Sequence, residues 1–218
     1  LSLFPKTLDG FVGESIIARA IENELLEINS LDIRHWAKGK HKETDDRPFG
    51  GGAGMVLKPE PLFSAVEEVA DESTTVIYMA PDGEKLDTPM CKELANEQHI
   101  LIISGHYEGV DQRVRDQLVT REVSVGDYVL TNGTLGASIL IDAVSRHIPG
   151  VLGDEDSLKE ESFEDQLLAF PQYTRPSEFR GMKVPDVLLS GNHSQISKWR
   201  ETKRLEKTQR LRPDLLKN

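Results

Sequence analysis

The chain has 218 residues, 29% charged and 38% hydrophobic, a balance that supports a buried core and excludes a disordered or fibrous chain. No apolar run approaches the roughly 18–20 residues of a membrane span, and Cys91, the single cysteine, excludes an internal disulfide framework or a cysteine-built zinc cluster. With no charged-then-apolar leader, a reducing cytoplasm is expected, and a net charge of −11 argues at first against a nucleic-acid partner.

In chain order, Leu1-Ser-Leu-Phe-Pro reads as the tail of a strand that began upstream. Ile16, Ile17, Ala20, Ile21 and Leu25 recur at helical spacing and predict an amphipathic helix over 15–25. Leu26/Ile28 and Leu31/Ile33 alternate as a strand or a broken strand pair would. A helix is expected over 59–70, then a buried strand over 75–80 ending at the turn signal Pro81-Asp82-Gly83. Next come a helix over 88–97, the apolar strand Ile100-Leu101-Ile102-Ile103, a helix over 110–118 and a strand over 122–125. A last helix over 135–147 stops before Pro149-Gly150. Strands alternating with helices predict an α/β fold with a parallel sheet covered on both faces.

After Gly153 the character changes. The expected organisation is an α/β domain over 1–153, an acidic connector over 154–171 and a small, mainly helical basic domain over 172–218. From Arg175 onward eleven Lys/Arg face five Asp/Glu, a balance of +6 that leaves −17 on the remainder. Within that tail Arg200, Lys203, Arg204, Lys207, Arg210 and Arg212 fall at helical spacing. Such a stripe fits RNA phosphates, although a merely solvated helix face looks the same.

Three glycine-rich loops carry the remaining signal. Asp45-Asp46-Arg47-Pro48-Phe49-Gly50-Gly51-Gly52-Ala53-Gly54-Met55 lets a backbone approach a ligand, yet Met55 breaks P-loop spacing and no dinucleotide-binding frame fits. As a bare pattern the loop is equally a flexible connection, but the flanking Asp45, Asp46 and Arg47 single it out, with Asp46 as a candidate RNA contact. Gly105-His106-Tyr107-Glu108-Gly109-Val110-Asp111 follows an apolar strand, where open α/β sheets bind ligands, or it is a turn capped by Asp111. Gly126-Asp127-Tyr128-Val129-Leu130-Thr131-Asn132-Gly133-Thr134-Leu135-Gly136 is either the other side of such a site or a turn into a helix capped by Thr134. Metalloprotease H-E-x-x-H, nucleophile-elbow G-x-S-x-G and C-x-x-C patterns are all missing from the sequence.

Taken in order, 45–55, 105–111, 124–130, 145–153, 171–176 and 188–193 make the chain resemble the bacterial tRNA (guanine-37-N1)-methyltransferases along nearly its whole length. The resemblance implies a SPOUT-type α/β domain with a deep trefoil knot, an obligate homodimer, S-adenosylmethionine as methyl donor and tRNA as substrate. It implies cofactor contacts at Gly105, Val125, Gly126, Asp127, Tyr128, Val129 and Leu130, with Tyr78, Pro81 and Gly133 nearby. Mg²⁺ is expected with Glu108 as its carboxylate. The sequence departs from the family pattern at His106, often Arg, at Asn132-Gly133-Thr134 for Gly-Gly-Glu, at Ala169, and at Glu161-Ser162-Phe163 for Asp-Ser-Phe.

Guanine N1 is protonated at neutral pH, so a carboxylate has to remove its proton, and charge then gathers on O6. By the resemblance, Glu161 is the candidate base and Arg146 the candidate O6 partner, with the connector around 154–164 ordering over the site. Two rival functions remain: a non-catalytic RNA-binding protein on the same fold, and an enzyme for another nucleotide cradled by 45–54.

Overall fold

The computed structural model describes residues 1–153 and 160–217. Helices α1 (Asp9–Val12) and α2 (Ser15–Glu22) lead to an antiparallel pair, β1 (Asp45–Asp46) with β2 (Val56–Leu57), and then to α3 (Pro59–Val69). The main sheet follows as β3 (Thr75–Lys85), α4 (Thr88–Leu94), β4 (Ile100–Ser104), α5 (Gln112–Leu118), β5 (Arg121–Ser124) and α6 (Gly133–Ser145). β3 is central and runs parallel to both neighbours, β4 and β5.

Alternation along β3 decides what each face buries. Val76, Tyr78 and Ala80 join Leu62 and Val66 of α3 and Val114 of α5 in one core. Ile77 and Met79 join Met90, Cys91 and Leu94 of α4 and Ala137, Leu140 and Val144 of α6 in the other. Helices on both faces are what a parallel sheet requires, because its crossovers return over the faces. The expected α/β class and parallel sheet are therefore present.

Three local expectations need correction. Pro81-Asp82-Gly83 does not end β3: the register slips so that both Met79 and Glu84 pair with Val123, and the residues between them form a bulge. The bulge depends on Gly83, where a Cβ would lie 2.6 Å from the Glu122 carbonyl carbon. The stretch 26–33 forms no named strand: Ser2 makes an isolated parallel bridge to Asp32, and Ile33–His35 is a 3-10 turn. Leu1 does behave as strand-like chain, since the Ser104 N–H donates to its carbonyl at 2.9 Å. Helix α6 begins at Gly133 and is capped by Asn132, whose side chain accepts from the Thr134 N–H. Thr134 itself is buried against Ser2, with 2.8 Å between hydroxyls.

Contacts divide the chain into two units, Leu1–Gly153 and Asp154–Asn218. The start of the expected acidic connector, 154–159, lies outside the described residues. Among the described residues, the second unit's regular structure starts with a hairpin, β6 (Glu178–Phe179) and β7 (Met182–Lys183), not with the helix expected from 177. Arg180 and Gly181 both take positive φ, 53° and 77°, the geometry a two-residue hairpin turn needs. Short α7 (Asp186–Leu189) and long α8 (His193–Leu211) follow, the latter capped by Asn192. Among the described residues no helix is long and apolar enough to cross a membrane.

Candidate active site

Three backbone segments meet at the C-terminal edge of the parallel sheet: the β3 bulge at Ala80, Pro81 and Asp82, the loop after β4, and the loop after β5. They line a cavity of about 400 Å³. That lies within the roughly 300–1,000 Å³ typical of small-ligand sites, at the strand ends where open α/β sheets bind ligands.

The loops hold one another through backbone contacts that tolerate little side chain. Gly133 donates its N–H to the Gly105 carbonyl at 2.7 Å, and a Cβ on Gly133 would sit 2.6 Å from the Gly105 nitrogen. Gly105 and Gly109 close around the Tyr78 hydroxyl, which a Cβ would approach to 2.9 and 3.3 Å respectively. On the third side, the Ser124 hydroxyl donates to the Gly126 carbonyl at 3.1 Å and Tyr128 donates to the Val125 carbonyl at 3.2 Å.

Charge enters through α5. Arg115 reaches the cavity lining, pairs with Glu122 through Nε at 2.7 Å and Nη2 at 2.5 Å, and reaches Asp82 at 2.9 Å. Its guanidinium also lies 5.4 Å from the centre of the Tyr78 ring. Burial pushes the Tyr78 phenol above its ordinary value, opposed by the charge of Arg115 and a backbone hydrogen bond at Val110. The hydrogen bond from Arg115 holds Asp82 below the usual carboxylate value. Arg115 and Asp82 were not singled out from the sequence. Neither lies in a glycine loop, and only the β3 bulge and the α5 packing bring them together.

Of the residues expected at the cofactor, Tyr78, Pro81, Gly105, Val125, Tyr128, Val129, Leu130 and Gly133 all line this cavity. Gly126 and Asp127 belong to the same loop without lining it. Glu108 lines it too, but among the described residues no group of three or more His, Cys, Asp or Glu could hold a metal ion. Arg146 caps the C-terminal end of α6, thirteen residues beyond Gly133. At ~1.5 Å rise per residue that is ~20 Å along the axis from the cavity. Asp46 accepts the Arg47 N–H at 2.7 Å in the exposed hairpin.

The other expected residues lie in the second unit. Glu161 is partly buried in the stretch 160–170, which is fastened to α8. Ser162 accepts the Ala169 N–H at 2.9 Å, and the buried Thr208 hydroxyl accepts the Leu168 N–H at 2.9 Å. Arg204 is only 9% exposed; it makes a two-pronged pair with Asp165 and donates to the Leu168 carbonyl at 3.4 Å. That pairing holds the Asp165 carboxyl below its ordinary value. A solvent-facing stripe is therefore not what the structure gives at Arg204. Arg200 bonds Glu160 at 2.9 Å and lies 4.5 Å over the Phe170 ring, and Lys207 bonds the Ala169 carbonyl at 3.1 Å. Lys203 pairs with Glu206 at 2.6 Å.

A parallel α/β unit with a glycine-looped cavity at its strand ends has the form of a domain that binds a small ligand. Comparison with known proteins narrows this. The family described as tRNA (Guanine-1)-methyltransferase TrmD matches residues 1–218. A tRNA (guanine-N(1)-)-methyltransferase of Listeria innocua is 53% identical over 100% of this chain and 91% of its own. Enzymes of that name from Moorella thermoacetica and Staphylococcus carnosus are 54% and 52% identical, each over 99% of this chain and over 88% and 89% of their own. The chain belongs to the tRNA (guanine-1)-methyltransferase family.

Proposed function

We propose that the protein transfers the methyl group of S-adenosylmethionine to N1 of guanosine 37 in tRNA. The observation that carries this reading is the whole-length family match joined to a cavity whose lining suits that cofactor. Pro81, Val125 and Leu130 offer apolar walls to an adenine, while Arg115 and Asp82 offer opposite charges to an amino-acid tail. His106 Nδ1, on the same lining, is buried with no hydrogen-bond partner among the described residues, a polar atom that a ligand could satisfy. When bound, the cofactor supplies an electrophilic methyl on a sulfonium centre.

The protein's own groups do the rest. Glu161 accepts the N1 proton, and Arg146 donates to O6 as negative charge develops there. The cavity loops hold the donor in line with the target nitrogen. The guanine has to leave its stack to reach them. Mg²⁺ finds no fitting cluster around Glu108 among the described residues.

Two chains form one site in this reading. Arg146 stands a helix length from the cavity of its own chain, and Tyr128, Val129, Leu135 and Ile139 leave apolar surface exposed beside that cavity and along α6. A homodimer covers that surface and brings the second chain's Arg146 to the first chain's cavity. The reading also includes a deep trefoil knot in the first unit, a basic second unit that grips tRNA, and a cytoplasmic setting. Calorimetry with S-adenosylmethionine, S-adenosylhomocysteine and ATP, followed by labelled methyl transfer to tRNA, tests the proposal. Binding of both adenosyl compounds and transfer that disappears when guanosine 37 is replaced are expected. Preference for ATP, or equal labelling of the replaced tRNA, overturns it.

A further inference from the structure

β1 and β2 frame a hairpin whose loop, 47–55, carries a single aromatic residue. Phe49 is 101% exposed. Gly50, Gly51 and Gly52 follow with φ of 86°, 81° and 117°, and a Cβ on any of them would meet nothing within 4 Å. A phenyl ring held wholly in water contributes nothing to the core. Packing within its own unit therefore gives no reason for it to stand there.

The base of this loop is fixed, and fixed to the cavity. The Glu108 N–H donates to the Met55 carbonyl at 3.0 Å, and the Leu57 N–H donates to the Gly109 carbonyl at 2.9 Å. Gly54, with φ of 83°, lies against Glu108 so closely that a Cβ would come within 2.5 Å of its Cγ. Glu108 and Gly109 both line the cavity. An exposed aromatic is thus carried on an arm rooted in the rim of the candidate active site.

Charge around the arm runs against its surroundings. Residues 1–153 hold 14 Lys/Arg against 25 Asp/Glu, a net −11, whereas the approach to the arm over 38–47 holds Lys38, Lys40, Lys42 and Arg47 against Glu43, Asp45 and Asp46, a net +1. The three lysines are exposed. Lys42 is steadied by its own bond to the His35 carbonyl at 3.4 Å. Lysines on the chain leading into an exposed aromatic supply the chemistry of single-stranded RNA binding: cations for phosphates and a flat apolar face for a base.

We infer that this hairpin is an RNA contact of the first unit, in which Phe49 stacks on an unpaired base of the anticodon loop while Lys38, Lys40 and Lys42 neutralise the flanking phosphates. The inference rests on tRNA being the substrate and adds the surface that receives the loop beside the cavity. The lysine cluster gives the acidic first unit its own hold on RNA, separate from the basic tail.

The test uses the full-length protein and tRNA with an unmodified guanosine 37. Phe49→Ala should weaken tRNA binding about 5- to 150-fold, the range for loss of one base–aromatic stack, and Phe49→Tyr should recover most of it. Changing Lys38, Lys40 and Lys42 together to Ala should reduce the slope of log affinity against log salt by about 2, at ~0.7 per single-strand phosphate released. Cofactor affinity, melting temperature and sedimentation should stay at the values of the unmodified protein. Wild-type-like tRNA binding by both variants overturns the inference alone, because the unmodified protein still binds. A Phe49→Ala chain that dissociates into monomers also overturns it, making Phe49 a protein–protein contact. Failure of the unmodified protein to bind tRNA removes the substrate reading and this inference together.

Discussion

Replacing Gly133 with alanine probes the closure of the cavity most sharply. The added Cβ would lie 2.6 Å from the Gly105 nitrogen and 3.1 Å from both the Cα and the carbonyl carbon of Ser104. All three are backbone atoms and cannot swing aside as a side-chain tip would, so the start of α6 and the loop after β4 have to part by roughly 1 Å. Overpacking of this kind typically costs about 1–3 kcal/mol. Separation also stretches the 2.7 Å bond from the Gly133 N–H to the Gly105 carbonyl. A weakened backbone bond adds about 1 kcal/mol, roughly cancelled by the better helix propensity of alanine. The net of about 1–3 kcal/mol falls on the segments that frame the cavity, so S-adenosylmethionine affinity should drop about 5- to 150-fold by calorimetry. A melting temperature lower by about 2–10 °C should accompany it. Gly10→Ala is the control, since a Cβ there meets nothing within 4 Å. If Gly133→Ala binds the cofactor within twofold of the unmodified protein, the cavity is not closed by this contact and the reasoning fails.

Other expectations follow from the same geometry. Glu161→Gln should slow single-turnover methyl transfer by about 10²–10⁴-fold with little change in tRNA binding, whereas Glu160→Gln should not; equal rates for the two would move the base elsewhere. Mixing inactive Arg146→Ala and Glu161→Gln chains should restore activity only if one site draws these residues from different protomers, and a fully active monomer at nanomolar concentration would refute the shared site. Arg204→Ala should loosen the second unit, seen as faster proteolysis around 160–170, because it strips Asp165 and the Leu168 carbonyl of their donor. The Asp165 carboxyl is lowered by Arg204, so the pair supports the fold above the ordinary carboxylate value of about 4 and its contribution is lost as pH falls below that. Asp165→Asn should remove this part of the acid sensitivity, and unchanged acid unfolding would show that the pair does not matter.

Much of the first unit was legible because its signals are strong and local. The apolar run Ile100-Leu101-Ile102-Ile103 can scarcely be anything but a buried strand, and the two later glycine loops do begin at strand C-termini. The β3 bulge was not legible, since Pro81-Asp82-Gly83 has the composition of a turn, and only contact with Val123 on β5 reveals that pairing resumes. The Arg180-Gly181 hairpin was missed because it is carried by two positive φ angles in a stretch of basic, helix-compatible residues. Charge misled in the tail: helical spacing marked Arg204 as one of a stripe, whereas the stretch 160–170 folds over it and turns it into an internal anchor. Arg115 and Asp82 escaped because their meeting depends on two elements that only the tertiary fold brings together.

The most direct measurement is to map the product on the nucleoside itself. Unmodified tRNA with guanosine at positions 36 and 37 is reacted with S-adenosylmethionine, digested, and its modified nucleosides identified by mass spectrometry and by the block to reverse transcription. N1-methylguanosine at position 37 alone, lost with Glu161→Gln and with Arg146→Ala, is the expected result. Methylation at another atom or another position, or full yield from both variants, would contradict the assignment of this cavity and these residues to that reaction.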